Sequence, residues 1–291
     1  MTWTGRSTTN WIAFVSLALL PLSGAAFAQQ SAPAFDVCPN RRSCDGVAND
    51  TAAILDTIAL ACAARGGIVQ LGRAHRITED IGVGDGTALS ASTCEHVVYR
   101  GFGAGGDSFD LSVNAPFNGV TTILWDGPSG GTMLTLRGPI VGVKIEGVHF
   151  HANPFGKAAG SVIVAKHVIH SIVRDVSAQG WCGIGVDITN YDGAGRDASY
   201  NFGSSFIDWS HVDFSSPSCP AAIGARVGPA DVGPTGMNTN HQFFSQSRFN
   251  GGSEGSGVEV RYADDIIFVQ TRLKAQGGTT PTGFTGCGLK I

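Results

Sequence analysis

Ile145-Glu-Gly-Val148-His-Phe150 returns as Val173-Arg-Asp-Val176-Ser-Ala178, Trp209-Ser-His-Val212-Asp-Phe214, Phe244-Ser-Gln-Ser247-Arg-Phe249 and Phe268-Val-Gln-Thr271-Arg-Leu273. The pattern is apolar-x-x-apolar-x-apolar, and successive copies start 28, 36, 35 and 24 residues apart. A shorter apolar-x-apolar pair accompanies it: Leu134/Leu136, Val162/Val164, Ile184/Val186, Ile223/Ala225, Val258/Val260 and Leu289/Ile291. Alternation with a period of two marks a strand with one buried face. A repeat of this size made of short strands, with the slack taken up in loops, is what a stacked solenoid of parallel strands produces. One coil cannot bury its own apolar side chains, so neighbours must stack before a core exists. The expected fold is all-β, a parallel β-helix with Leu134, Val162, Ile184, Ile223, Val258 and Leu289 in one inward column.

The first 28 residues read as a secretory signal peptide. Arg6 is the basic n-region, Trp11 to Leu20 the apolar run, and Ala26-Phe27-Ala28 the small-x-small cleavage site. The chain is therefore expected to be exported, secreted or periplasmic in a bacterium, with 29–291 as one β-helix domain and no membrane attachment after cleavage. The leader holds one of the 19 basic residues and no acid, which leaves a charge of 18 minus 23, or −5. That balance argues against a general nucleic-acid partner. Forty-one glycines and only 14% charged residues suit a turn-rich all-β protein. Seven cysteines, 38, 44, 62, 94, 182, 219 and 287, follow the leader. Export permits disulfides, and Cys38 with Cys44 is the easiest local pair. The odd count leaves at least one thiol over. No Cys or His spacing matches a zinc motif, so no metal is expected.

A solenoid needs its first coil covered. Asp50 reads as the N-cap of a capping helix over about 51–65, ended by Gly66-Gly67, with Ile54, Leu55, Ile58 and Cys62 as its apolar stripe. Ile68-Val-Gln-Leu71 reads as the first strand. At the other end, Leu289-Lys-Ile291 opens a further rung, so the helix is expected to be incomplete at its C-terminal end.

Asp45-Gly46-Val-Ala-Asn-Asp50-Thr51-Ala-Ala-Ile54, Gly66-Gly67-Ile-Val-Gln-Leu71 and Val98-Tyr-Arg-Gly101-x-Gly103 resemble the front of the pectate-lyase-like superfamily. That group of right-handed parallel β-helix proteins includes polygalacturonases, pectate lyases and phage tailspike depolymerases. The resemblance runs from about Asp45 to the last residue. It implies a right-handed coil, a polysaccharide substrate, no organic cofactor, calcium if the reaction is a lyase's, and a homotrimer if the chain is tailspike-like. Its Asp and Gly residues are cap and turn residues, and say nothing of reaction type. Asp264-Asp265 matches the acid pair of polygalacturonases, but their Asn-Thr-Asp, Gly-His-Gly and Arg-x-Lys companions are missing.

Chemistry is sought on outward positions. If Ile184, Val186 and Ile188 point inward, Asp187 points outward, and Arg137, Ala165, Arg226 and Arg261 occupy equivalent places on coils about 4.8 Å apart. Arginines beside a carboxylate suit an acidic sugar. Arg226, Arg261 and Arg137 would hold a uronate carboxylate in planar forks, and Asp187 would act as catalytic acid or base. The competing reading is a surface ion-pair ladder, common and individually weak. A second outward ladder is His149, Ser177, Asp213, Arg248 and Arg272, with His149 and His151 about 7 Å apart by strand rise. The insertions Thr189 to Ser205 and Val227 to His241 mark the binding side, since solenoids place insertions on one face. The first carries Tyr191, Asp192 and Arg196 for stacking on sugars and bonding to them, although turn material has the same composition.

The combined expectation is an exported protein that degrades a polysaccharide, preferentially acidic, by hydrolysis or β-elimination. The alternative is a glycan-binding or adhesin-type β-solenoid with no catalysis.

Overall fold

The repeat copies stack in register. Trp209 aligns with Val173 below it and Phe244 above it, and the series extends down to Phe35 and up to Phe268 through Val69, Tyr99 and Ile145. The computed structural model describes residues 32–39, 44–84, 94–103, 120–189, 204–216, 219–228, 239–275 and 287–291. The expected signal peptide, 1–28, and Tyr191, Asp192 and Arg196 lie outside the described residues. Every strand pair within them is parallel. The protein is a parallel β-helix capped by α1 (Thr51–Ala63), the one α-helix among the described residues.

Each complete coil contributes to three sheets. In the strand Ser161–Gln179 the chain passes through all three without leaving extended structure. Residues 161–166 lie in sheet C, beside Thr132–Val141 and Ile184–Thr189. Residues 172–174 lie in sheet A, and 176–179 in sheet B. Corners replace loops here because single residues turn the chain with positive φ: His167, His170 and Asp175 at 53°, 49° and 53°. The corner between sheets A and B recurs at Gly147, Asp175, His211, Gln246 and Gln270. It accounts for the x-x in the repeat, which interrupts the alternation where the chain turns.

The inward columns are apolar and grow more aromatic toward the C-terminal end. Trp209 stacks on Phe244 at 6.0 Å, and Phe244 on Phe268 at 5.1 Å. In sheet B the column His75, Ile123, Phe150, Ala178, Phe214, Phe249, Leu273 keeps the same order. Helix α1 (Thr51–Ala63) covers the first coil with Ile54, Ile58, Ala61 and Cys62, all buried. Disulfides join Cys38 to Cys44, Cys62 to Cys94 and Cys182 to Cys219, and Cys287 is the leftover thiol. No helix among the described residues is long and apolar enough to cross a membrane.

Several expectations need correction. In sheet C the inward column is Leu134, Ile163, Val186, Ala225, Val258, Leu289. Val162 is therefore displaced by one residue, and Ile184 and Ile223 by two. The run Val162-Ile-Val-Ala165 is apolar on both faces, so alternation cannot fix its parity. Ile184-x-Val186-x-Ile188 has one parity throughout, so a slip of two passes unnoticed. Asp50 is the N-cap of α1 as expected, its carbonyl accepting the Ile54 N–H at 3.0 Å, but its side chain does not cap: the carboxylate faces His75, and Asn49 Oδ1 accepts the Thr51 N–H at 3.1 Å. A first strand, Ala34–Asp36, precedes the one expected and pairs with Gly67–Gln70. In the last coil, Ala263–Val269, Arg272–Ala275 and Cys287–Lys290 pair on one side only among the described residues, and Ile267, Val269 and Leu289 are exposed.

Candidate functional site

Three outward faces carry polar groups. On sheet C the ladder built by the register is Thr135, Val164, Asp187, Arg226, Glu259, Lys290. Asp187 and Arg226 meet as expected: Arg226 Nε donates to Oδ1 at 2.9 Å and the terminal nitrogen to Oδ2 at 2.5 Å. Arg261 falls two residues beyond the ladder, where it bonds Glu259 at 3.1 Å. Arg137 aligns with Lys166 and pairs with Asp80 at 2.6 Å. The ladder omitted Glu259, which is 3% exposed and also held by Lys290 at 2.8 Å. Burial alone would raise the Glu259 carboxyl, but Lys290 and Arg261 together bring it below its ordinary value. This face is a run of closed ion pairs. Both oxygens of Asp187 accept from one guanidinium.

The second ladder stands in the expected register, His149, Ser177, Asp213, Arg248, Arg272. Arg248 forks onto Asp213. His149 is 1% exposed, with Nδ1 2.8 Å from the Ser177 hydroxyl and its ring 6.5 Å from that of His151. Burial, and then the neighbouring His151, pull His149 down to about 3, and burial brings His151 to about 4. Both imidazoles are neutral at physiological pH, and His149 is enclosed.

The outer face of sheet A differs from both. Ile172, Asp208, Phe243 and Ile267 share one outward column. Asp208 sits between two apolar neighbours, its Oδ1 enclosed without a hydrogen-bond partner. Burial raises its carboxyl above the ordinary value, with Arg174 opposing. A carboxyl shifted this way holds its proton to higher pH, as a general acid must, and becomes a stronger base once ionised.

Two residues earlier, at the corner entering sheet A, the chain places His170, Phe206, His241 and Asp265 on successive coils, with φ of 49°, 55°, 49° and 50°. Phe206 stacks between His170 at 4.8 Å and His241 at 4.4 Å, and His241 Nε2 is 3.1 Å from Asp265 Oδ2. Phe206 is 47% exposed and Phe243 38%. A non-glycine residue with positive φ costs on the order of 1–3 kcal/mol, and such strain gathers at functional sites. An exposed phenylalanine returns little of that through burial. Asp264 and Asp265, expected in a solvated turn, belong instead to the strand Ala263–Val269, with Asp265 closing this ladder. The two long insertions leave sheet C after Thr189 and Gly228 and rejoin the described chain at Ser204 and Thr239, immediately before Phe206 and His241. The described chain therefore resumes after each insertion next to the aromatic ladder.

Sequence reasoning missed Asp208 and this ladder. The signal was present: three residues before each repeat start stand Gly142, His170, Phe206, His241 and Asp265, and one residue before stand Lys144, Ile172, Asp208, Phe243 and Ile267.

No family model matches the chain, and no curated protein matches it. Among solved structures it is similar to ORF18 of Geobacillus virus E2, with 14% identity over 88% of this chain and 59% of the other and a TM-score of 0.41. It is similar to the phiAB6 tailspike, solved with three-repeated oligosaccharides of Acinetobacter baumannii surface polysaccharide, with 16% identity over 88% and 43% and a TM-score of 0.42. The A-module of the Azotobacter vinelandii mannuronan C-5 epimerase AlgE4 gives 12% identity over 81% and 76% and a TM-score of 0.36. The chain spans about three fifths of the viral protein it matches.

Proposed function

We propose that this chain is an exported carbohydrate-active protein that degrades an acidic polysaccharide, with the outer face of sheet A as its site. The observation that carries the reading is Asp208, a carboxyl raised by burial on an open sheet face beside an exposed ladder of aromatic and imidazole rings. An extended glycan laid along this face would set the apolar faces of its sugars against the Phe206 and Phe243 rings and its hydroxyls against the polar side chains beside them. Asp208 would give a proton to the leaving oxygen in hydrolysis, or take one from the sugar ring in β-elimination. Arg174, half exposed between Glu146 at 2.9 Å and Asp175 at 3.6 Å, is placed to share its charge with a uronate carboxylate.

The test is the full chain against uronate-containing and neutral polysaccharides, reading new reducing ends for hydrolysis and ultraviolet absorbance for unsaturated products. Asp208→Asn should lower turnover at least about 100-fold with the fold intact. Wild-type turnover in that variant refutes the assignment. Binding without turnover in the wild type supports the glycan-binding alternative. The second candidate centre is the Asp187–Arg226 pair, with Arg261 beside it, and Asp187→Asn in the same assay ranks the two faces. Unsaturated products whose formation stops with a chelator and returns with calcium would mark a calcium-dependent elimination.

A further inference from the structure

Under the capping helix lies a cluster that plays no part in the glycan reading. The sulfurs of Cys38 and Cys44 and a ring nitrogen of His75 all lie within 4.8 Å of one another, and all three residues are buried. Asp50, 3% exposed, places Oδ2 3.2 Å from His75 Nδ1. On the other side of the ring, the Gly72 N–H donates to Nε2 at 2.8 Å. A nitrogen that accepts a backbone N–H carries no proton, so the ring proton is on Nδ1 and Asp50 accepts it. The imidazole is thus fixed in one tautomer by a buried carboxylate, with its Nε2 lone pair directed away from that carboxylate. Metal-binding histidines are prepared in this way, with an outer carboxylate setting tautomer and orientation. Gly72 admits no side chain, because a Cβ there would stand 2.7 Å from Cys38 Sγ. A cavity of about 570 Å³, lined by Asp36, Cys38, Cys44, Gly72, Arg73 and Phe102 among others, reaches the sulfurs.

We propose that Cys38, Cys44 and His75 form a redox-gated site for a thiophilic metal ion of the zinc class, closed as the disulfide and open as the dithiol. Two molecules of a small thiol reduce the bond, giving two cysteine thiols and one small-molecule disulfide. A divalent ion then replaces the two thiol protons, which pass to solvent, and Nε2 exchanges the Gly72 N–H for the metal. Tetrahedral zinc holds S and N ligands about 3.5–3.8 Å apart, which the observed triangle can contract to. The fourth position faces the cavity, where Asp36 or water can fill it. Whether as S–S or S–metal–S, the link from Cys38 to Cys44 is kept beside Gly72.

The experiment uses the whole chain, oxidised or treated with excess glutathione and desalted, titrated with zinc against a chromophoric chelator. Reduced protein should take up one zinc equivalent that the oxidised protein and a reduced Cys38→Ser/Cys44→Ser variant do not. Asp50→Asn should weaken that equivalent about 10–100-fold. Independently of any variant, zinc should slow alkylation of Cys38 and Cys44 in the reduced wild type, and leave Cys62, Cys94, Cys182 and Cys219 unprotected. Equal zinc uptake by the serine variant, equal protection of the other cysteines, or a Cys38–Cys44 bond that glutathione leaves intact would each overturn the proposal.

Discussion

Acidification should unfold this protein through His149. In the folded chain burial, with His151 beside it, holds that imidazole at about 3, against about 6.5 for an unfolded histidine. Folding therefore favours the neutral ring. The stability this provides is complete above pH 6.5 and is lost as pH falls from 6.5 toward 3, because the unfolded chain takes up a proton that the folded chain refuses. Within that window the loss is about 1.4 kcal/mol per pH unit. Between pH 6.5 and 5 it amounts to roughly 2 kcal/mol from one residue, against a total of about 5–15 kcal/mol for an ordinary domain. His151 adds less, because it is only partly buried and water screens its charge. Asp45, Asp126 and Glu259 are lowered carboxyls, so their losses begin only below about pH 5. The comparison is urea unfolding at pH 7, 6 and 5 and constant ionic strength, wild type against His149→Gln. Glutamine can still bond Ser177 but does not titrate. Its stability should depend on pH less steeply by about 1.4 kcal/mol per unit between 6 and 5. Parallel slopes in the two proteins would refute the reasoning.

Val173, 2% exposed in the sheet A column, should not tolerate charge: Val173→Asp should cost several kcal/mol in urea unfolding, and a loss under 1 kcal/mol would contradict the register. Asp208 has the opposite sign to His149, since a raised carboxyl favours folding only while protonated and loses that contribution as pH rises. Asp208→Asn should therefore melt no lower than wild type at pH 7, measured calorimetrically. Asp187→Asn leaves the largely enclosed Arg226 guanidinium without its forked partner, so it should lower the melting temperature measurably while Arg137→Gln, at a more exposed pair, changes it little.

The fold was legible because its cause is local and repeated. A column such as Ile145, Val173, Trp209, Phe244 and Phe268 must be apolar at each level, so the sequence states it five times. The side chains between the columns face solvent or a ligand, and nothing forces them to repeat. Where the repeat held strictly, outward residues were placed correctly: His149, Ser177, Asp213, Arg248 and Arg272 follow from the apolar-x-x-apolar-x-apolar frame. Where the frame was a bare two-residue alternation, in sheet C, position was lost, and at Val162 parity as well, so Arg137 and Arg261 were assigned to a ladder that holds Thr135 and Glu259. Asp208 was hidden for another reason. Its significance lies in having apolar neighbours on the coils above and below, Phe243 and Ile172, and an aromatic corner two residues away, and each of those relations crosses 35 or 36 residues of sequence. A single carboxylate in a strand is unremarkable until the register supplies its surroundings. In a solenoid the chemistry therefore becomes visible only after the repeats are aligned and the columns outside the core are read downward, residue by residue, as the inward ones are. Read that way, the chain places Asp208, with its enclosed Oδ1, and the exposed rings of Phe206 and Phe243 on the same sheet, where the described chain resumes after its two long insertions.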